Sequence, residues 1–217
     1  MVKAIFWDFG GVLTTSPFDA FNRYERAHQI PENTIRKINS KNPENNAWAR
    51  FENSQISLDE FDAAFADESS QEGFSIRGRT VIELLSGKLV PEMVDVLRRC
   101  KMHYKNACLT NNVKAGAGAA MQSSESRAAE VRRVMELFDV VIESSKIGIR
   151  KPDPKFYQIA CEKLSLDPKD VIYLDDLGIN LKPAKKMGMI TIKVLNPRQA
   201  IAALQTHLPI PISGFQN

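Results

Sequence analysis

Four places in the 217-residue chain carry side chains that could share one reaction. Asp8 ends the apolar run at residues 4–7 and precedes Gly10-Gly11. Thr110-Asn111 closes the run at 104–109, Lys151 stands just ahead of Pro152, and Asp175-Asp176 closes the run at 171–174. A carboxylate can act as a nucleophile. A carboxylate pair can hold a hard cation through oxygen. A lysine and a hydroxyl can offset charge on a transferring group. Together these are the parts of a phosphoryl-transfer site. Each also has a plainer reading: Asp8 as an Asx-turn residue, Thr110-Asn111 as a helix cap, Lys151 as a surface lysine, and Asp175-Asp176 as a turn before Gly178. Two adjacent carboxylates directly after an apolar strand are costly without a cation or donors nearby. Their order, and their placement at successive strand ends, favour the joint reading.

The elements that must position these groups follow from periodicity. Residues 2–7, 104–109, 140–142, 171–174 and 190–194 read as short buried strands. Helices are expected near 91–102, 128–137, 154–164, 179–187 and 197–207. Pro91 suits a first helical turn. Asp153-Pro154 is a strong helix start, with Asp as N-cap and Pro at N1. Strands alternating with helices imply right-handed crossovers and a doubly wound parallel α/β sheet covered on both faces. In such sheets ligands sit beyond the carboxyl ends of the strands. Residues 16–88 break this alternation. Ile35 and Ile38, then Leu58, Phe61 and Phe65, have helical spacing. Ser57 with Glu60 predicts a capping box. This stretch reads as an all-helical insertion after the first strand. Residues 114–126, rich in Gly, Ala and Ser, read as a mobile loop. Gly116 and Gly118 within it make no dinucleotide fingerprint.

Composition narrows the function classes. Apolar content of 43% and charged content of 25% are ordinary for a globular protein. A net charge of +3, from 29 basic and 26 acidic residues, argues against a dedicated nucleic-acid binder. The small cluster Arg127, Arg132 and Arg133 reads as a solvated helix face. Cys100, Cys108 and Cys161 are too few and too scattered for a disulfide framework, and no CxxC occurs. No run approaches the ~18 apolar residues of a membrane span, and the apolar start is too short for a secretory leader. A cytoplasmic protein, monomeric or homodimeric, with no membrane and no nucleic-acid partner is expected.

The stretches WDFGGVLTT, ACLTNN, RKPDPKFY and VIYLDDLGINLKPAKKMGM resemble, in order, the four motifs of the haloacid dehalogenase (HAD) superfamily. The resemblance covers nearly the whole chain. It extends in particular to the N-terminal phosphatase domain of soluble epoxide hydrolases and to the related domain preceding some acyl-CoA dehydrogenases. It implies a HAD-like core at 1–15 and 89–217 and a small helical cap at 16–88. Within the cap, Trp48, Phe51 and Phe61 are expected to form its core, with one facing substrate as the alternative. The resemblance makes Asp8 the nucleophile. Thr110 and Asn111 would bind the phosphoryl group, and Lys151 would neutralise nucleophile and phosphate. Asp176, with Asp175 close behind it, and the Gly10 carbonyl would join Asp8 in holding Mg2+. The substrate would be a small phosphorylated metabolite.

One position departs from the pattern. Most phosphatases of the superfamily carry a second aspartate two residues after the nucleophile, which protonates the leaving group. Here that residue is Gly10. The metal contact survives through a backbone carbonyl, but the acid/base group, typically worth ~10²–10⁴ in rate, does not. Four readings follow. One is a phosphatase whose leaving groups need little protonation, or which uses a cap residue or water instead. Another is a different HAD hydrolase, dehalogenase or phosphonatase-like. The retained Asp175-Asp176 argues against the metal-free dehalogenases, and Lys37, Lys41 and Lys88 show no signature of a Schiff-base lysine. The remaining two are a non-catalytic phospholigand-binding protein on the same fold, and a receiver domain. In a receiver domain the acidic pair would come first, without a helical insertion.

Overall fold

The computed structural model describes residues 1–112 and 125–212. Among them, strand β1 (Ala4–Trp7) is followed by α1 (Pro17–Ala27), α2 (Thr34–Ser40), α3 (Ala47–Glu52), α4 (Leu58–Gln71) and α5 (Gly78–Leu84). The chain then alternates through α6 (Pro91–Lys101), β2 (Lys105–Thr110), α7 (Glu125–Met135), β3 (Val140–Glu143) and α8 (Ser144–Ile147). It continues with α9 (Pro154–Leu164), β4 (Val171–Asp175), α10 (Gly178–Lys186), β5 (Ile190–Lys193) and α11 (Pro197–Gln205). The strands form one parallel sheet in the order β3-β2-β1-β4-β5. Crossovers on both sides of β1 make it the centre of a doubly wound α/β sheet. The predicted loop at 114–126 lies almost entirely outside the described residues, as does the Arg127 side chain; Arg132 and Arg133 are exposed on α7.

Period-two alternation sends neighbouring strand residues to opposite faces. Ile5, Trp7, Cys108, Ile172 and Leu174 pack with α6, α7 and α11. Ala4, Phe6, Ala107, Leu109 and Tyr173 pack with α9 and α10. All four residues of β1 are fully buried, as expected where helices cover both faces. The expected helix starts are present. Asp153 caps α9 by accepting from the Lys155 N–H, with Pro154 at N1. Ser57 and Glu60 form a reciprocal capping box on α4.

Helices α1–α5 bury a separate apolar cluster of their own, built on Phe21, Ile35, Ile38, Phe51, Phe61 and Phe65. Phe51 stacks on Phe61 at 4.4 Å between centroids, and Phe61 packs on Phe65. Two chain segments join this cluster to the sheet and pair with each other. Thr14 bridges Leu89, the Thr15 N–H donates to the Lys88 carbonyl at 2.8 Å, and the Val90 N–H to the Leu13 carbonyl at 2.9 Å. Gly87 is needed at this junction, because a Cβ there would press on Thr14 and Thr15.

Candidate active site

Three parallel strands end at nearly the same level, so the residues just past β1, β2 and β4 meet. The Asp8 N–H extends the sheet by donating to the Leu174 carbonyl at 2.8 Å. This sets Asp8 next to the acidic pair that ends β4. Thr110 ends β2 and is buried. Lys151 enters from the loop between α8 and α9, and its ammonium is buried between two carboxylates. It lies 2.8 Å from Asp8 Oδ1 and 2.9 Å from Asp175 Oδ2. The backbone of Lys151 is clamped as well. Its N–H donates to Asn111 Oδ1 at 2.9 Å, and Asn111 Nδ2 donates to its carbonyl at 3.1 Å. The Asn111 amide thus holds the Lys151 backbone while Asn111 also lines the cleft.

Asp8, Asp175 and Asp176 can each offer an oxygen within 4.8 Å of the others. The two members of the pair differ in environment. Asp175 is fully buried, and donors surround it. Leu177 N–H reaches Oδ1 at 2.8 Å, Asn180 Nδ2 reaches both oxygens at 3.1 and 3.0 Å, and the Tyr173 hydroxyl and Lys151 reach Oδ2. These donors take up about the four lone-pair directions a carboxylate has. Asp176 is half-buried and has no ion-pair partner among the described residues. Burial, and then the charge of Asp175, push its carboxyl up to about 6. Burial is also the main force raising the Asp8 carboxyl, against the pull of Lys151. Burial lowers the Lys151 ammonium, but Asp175 and Asp8 outweigh it and hold that group above its usual value.

When ionised, three carboxylates against one ammonium leave an excess of two negative charges in a largely buried cluster. Such an excess is costly without a compensating cation. The donor set is all oxygen and suits a hard divalent ion. The turn before it is shaped for close approach. Gly11 sits at φ +74°, and a Cβ there would collide with the Asp176 carboxylate. Gly10 differs: its φ is outside the left-handed region, and a Cβ would meet nothing within 4 Å.

Above these groups lies a cleft of about 610 Å3. Its floor carries Asp8, Gly10, Thr110, Asn111, Lys151 and Asp176, and helices α1–α3 supply much of its walls. Trp48 lines it while also packing edge-on against Phe61 at 5.9 Å. Of the three aromatics expected in the cap core, Phe51 and Phe61 are buried there, and Trp48 faces the cleft. Arg150 joins the two parts of the chain: it pairs with the buried Glu52 and donates to the Pro43 carbonyl.

Sequence reasoning named Asp8, Gly10, Thr110, Asn111, Lys151, Asp175 and Asp176; all but Asp175 line the cleft floor, and Asp175 lies fully buried behind it, bonded to Lys151. It missed Tyr173 and Asn180. A signal for Tyr173 existed, since strand period places it on the same face as Asp175. It also missed Glu52 and Arg150, for which 98 residues of separation left no local signal.

The family model for haloacid dehalogenase-like hydrolases matches residues 2–188. Acyl-CoA dehydrogenase family member 10 of Mus musculus is 32% identical over 97% of this chain and 19% of its own length. Bifunctional epoxide hydrolase 2 of Sus scrofa is 27% identical over 94% of this chain and 38% of its own length. The chain thus spans well under half of these relatives. Proteins named as a glyceraldehyde 3-phosphate phosphatase and as an (S)-2-haloacid dehalogenase are also matched. A HAD family enzyme of Bacteroides thetaiotaomicron, solved with magnesium and inorganic phosphate, shares the fold. Its TM-score is 0.57 at 20% identity, covering 89% of this chain and 94% of that one.

Proposed function

The chain belongs to the haloacid dehalogenase-like hydrolase family, and from that premise we propose that it is a magnesium-dependent phosphatase acting on a small phosphorylated metabolite through an aspartyl-phosphate. One observation carries the reading. At the cleft floor the Lys151 ammonium is 2.8 Å from Asp8, beside an acidic pair whose excess charge calls for a divalent cation. A metal-free dehalogenase has no use for that excess.

Asp8 Oδ1 accepts from Lys151 and from the Phe9 N–H at 2.7 Å, which leaves Oδ2 as the nucleophilic oxygen. Its attack on phosphorus forms an acyl-phosphate bond and breaks the ester P–O bond, and the leaving oxygen keeps the bonding pair. Water then attacks the phosphorus and breaks its bond to Asp8, which regenerates the carboxylate and releases phosphate; one water proton stays on the phosphate and the other is lost to solvent, from which the departed oxygen takes its proton. The Lys151 ammonium, the Thr110 hydroxyl and Asn111 hold the phosphoryl oxygens, and Asn111 also fixes the Lys151 backbone. Asp8, Asp176 and the Gly10 carbonyl would hold Mg2+, with Asp175 behind them orienting Lys151. The bound ion supplies charge compensation for the phosphoryl group. Residues 16–88 act as a cap that roofs the cleft and selects substrate, above a core formed by 1–15 and 89–217. With no carboxylate at position 10, substrates whose leaving group is stable as an anion are favoured.

No helix among the described residues is long and apolar enough to cross a membrane. All three cysteines are free and buried, which suits a cytoplasmic protein. Turnover of an aryl phosphate with and without magnesium tests the proposal, with Asp8→Asn as the control. Magnesium-dependent hydrolysis lost in Asp8→Asn supports it. Phosphate binding without turnover of any aryl phosphate would support the alternative that Gly10 favours, a non-catalytic phospholigand-binding protein.

A further inference from the structure

The cleft is much larger than a phosphoryl group requires, and its volume of about 610 Å3 is typical of sites that enclose a whole small molecule. Much of its wall is apolar, from Pro17, Phe18, Phe21, Trp48, Leu85 and Ile179. Helix α2 is the exception. Arg36, Asn39 and Ser40 follow at i, i+3 and i+4, so they share one helix face, and all three line the cleft. Ile35 and Ile38 take the opposite side and anchor α2 in the helical cluster.

Three charged side chains line the cleft away from its floor: Arg36, Glu52 and Arg150. Glu52 and Arg150 neutralise each other. Arg36 has no acidic partner among the described residues, and it donates to the neutral Asn33 Oδ1 at 3.2 Å. It is nonetheless held in place, with its guanidinium carbon 4.2 Å from the centre of the Phe18 ring. Such stacking orients the plane and leaves the edge donors free for an oxyanion. Beside it, Asn39 Oδ1 is buried and finds no hydrogen-bond partner in the protein. Buried polar groups are rarely left so; as an acceptor, this oxygen suits a hydroxyl or N–H donor on a ligand, not its anionic group.

We infer that the substrate is a phosphomonoester with an apolar or aromatic body and a second anionic group at its far end, which Arg36 binds. This rests on the phosphatase reading of the floor of the same cleft. It assigns selectivity to the α2 face. The far oxyanion meets the one unpaired cation of the upper cleft, while the body lies against Phe18 and Trp48.

A series of aryl phosphates tests it: 4-carboxyphenyl, 4-(carboxymethyl)phenyl and 4-(2-carboxyethyl)phenyl phosphate, each beside its neutral carboxamide. Wild type should prefer at least one acid over its amide by about tenfold in kcat/KM, equivalent to ~1.4 kcal/mol. The preference should shrink with salt, as expected for an exposed charge. It should fall to about one in Arg36→Met, which keeps the stem on Phe18, and survive in part in Arg36→Lys. Arg36 is exposed, so melting curves should match wild type. Equal turnover of acid and amide at every length, or a preference unchanged in Arg36→Met, would overturn the inference and leave the phosphatase reading standing. If nothing turns over, calorimetric binding of the same pairs to the magnesium-loaded protein decides. A preference for the acid that depends on Arg36 then upholds the anion site while the phosphatase reading fails, and equal binding sinks both.

Discussion

Gly10→Asp puts a carboxyl where the chain lacks one, and the local geometry tolerates it. A Cβ at Gly10 meets nothing within 4 Å, and φ there is outside the left-handed region. The neighbouring turn residue behaves oppositely, since Gly11 sits at φ +74° with Asp176 in the way of any side chain. Gly11→Ala is therefore the control for a distorted turn. Gly10 lines the cleft beside Asp8, so a side chain there faces the leaving group. A positioned general acid contributes ~10²–10⁴ in rate, or ~3–5 kcal/mol of barrier. The lower end, about 10²-fold, is the expectation here, because nothing in the cleft has been shaped to orient the new carboxyl. Burial in the cleft favours the protonated form of an added carboxyl, which is the form an acid needs. The assay is a plot of log kcat/KM against leaving-group pKa over a series of phosphate monoesters. Wild type should fall steeply as that pKa rises. Gly10→Asp should flatten the slope, gaining about 10²-fold on alkyl phosphates and under about tenfold on nitrophenyl phosphate. Circular dichroism and a melting curve must accompany the kinetics. A folded variant with an unchanged slope would show that proton transfer is not what the enzyme lacks. A flat slope in wild type would mean another group already donates the proton.

Lys151→Ala should remove vanadate binding and nearly all turnover. It should also lower stability by ~3–5 kcal/mol in denaturant melts, because Asp8 and Asp175 lose the cation 2.8 and 2.9 Å away. Lys151→Arg should not rescue fully, since the planar fork does not replace a point charge between two carboxylates, and wild-type vanadate affinity in Lys151→Ala would make the residue structural only. Asp176 without metal stands at about 6 against an ordinary 3.8, so proton binding stabilises the fold fully below 3.8, and that contribution is lost as pH rises through about 6. Asp176→Asn should accordingly raise the metal-free melting temperature at pH 7, by an amount worth on the order of 1–3 kcal/mol, and change little at pH 4. It should also abolish the melting-temperature rise that magnesium gives wild type, and a variant still stabilised by magnesium would remove Asp176 from the ligand set.

Most of the sheet was legible because its strands are short apolar runs with polar ends. Asp8, Thr110 and Asp175-Asp176 stood out for the physical reason that they end such runs. Asp153-Pro154 and Ser57 with Glu60 were legible as caps, whose partners lie within three residues. The separate helices of the insertion were harder to read. Helices α2, α3 and α5 have seven, six and seven residues, too few turns for a period to emerge. The hold of the Asn111 amide on the Lys151 backbone, 40 residues away, had no local signal in the sequence. The Tyr173 and Asn180 donors were hidden by their neighbours: one sits in an apolar strand, the other in the first turn of α10. Arg36 reads as an ordinary surface arginine until α1 and α2 are docked and the Phe18 ring is seen beneath it.

Arg150 and Lys151 are adjacent but face different parts of the molecule. Lys151 is fixed by Asp8, Asp175 and Asn111, all from strand ends of the sheet. Arg150 is fixed by Glu52 at the end of α3 and by the Pro43 carbonyl, both from the helical insertion. Burial raises the Glu52 carboxyl, and the Arg150 charge opposes that rise. Parting the two would leave a buried charge without its partner, a change that typically costs 3–5 kcal/mol. If α3 moves away from the sheet, it must therefore either break that pair or drag residue 150 with it. With residue 150 moves the backbone that Asn111 holds and that aims the Lys151 ammonium. The cleft wall that α3 supplies and the lysine that balances Asp8 are thus linked through a single peptide bond. Displacing α3 by breaking the Glu52–Arg150 pair should therefore also disturb the charge balance at Asp8.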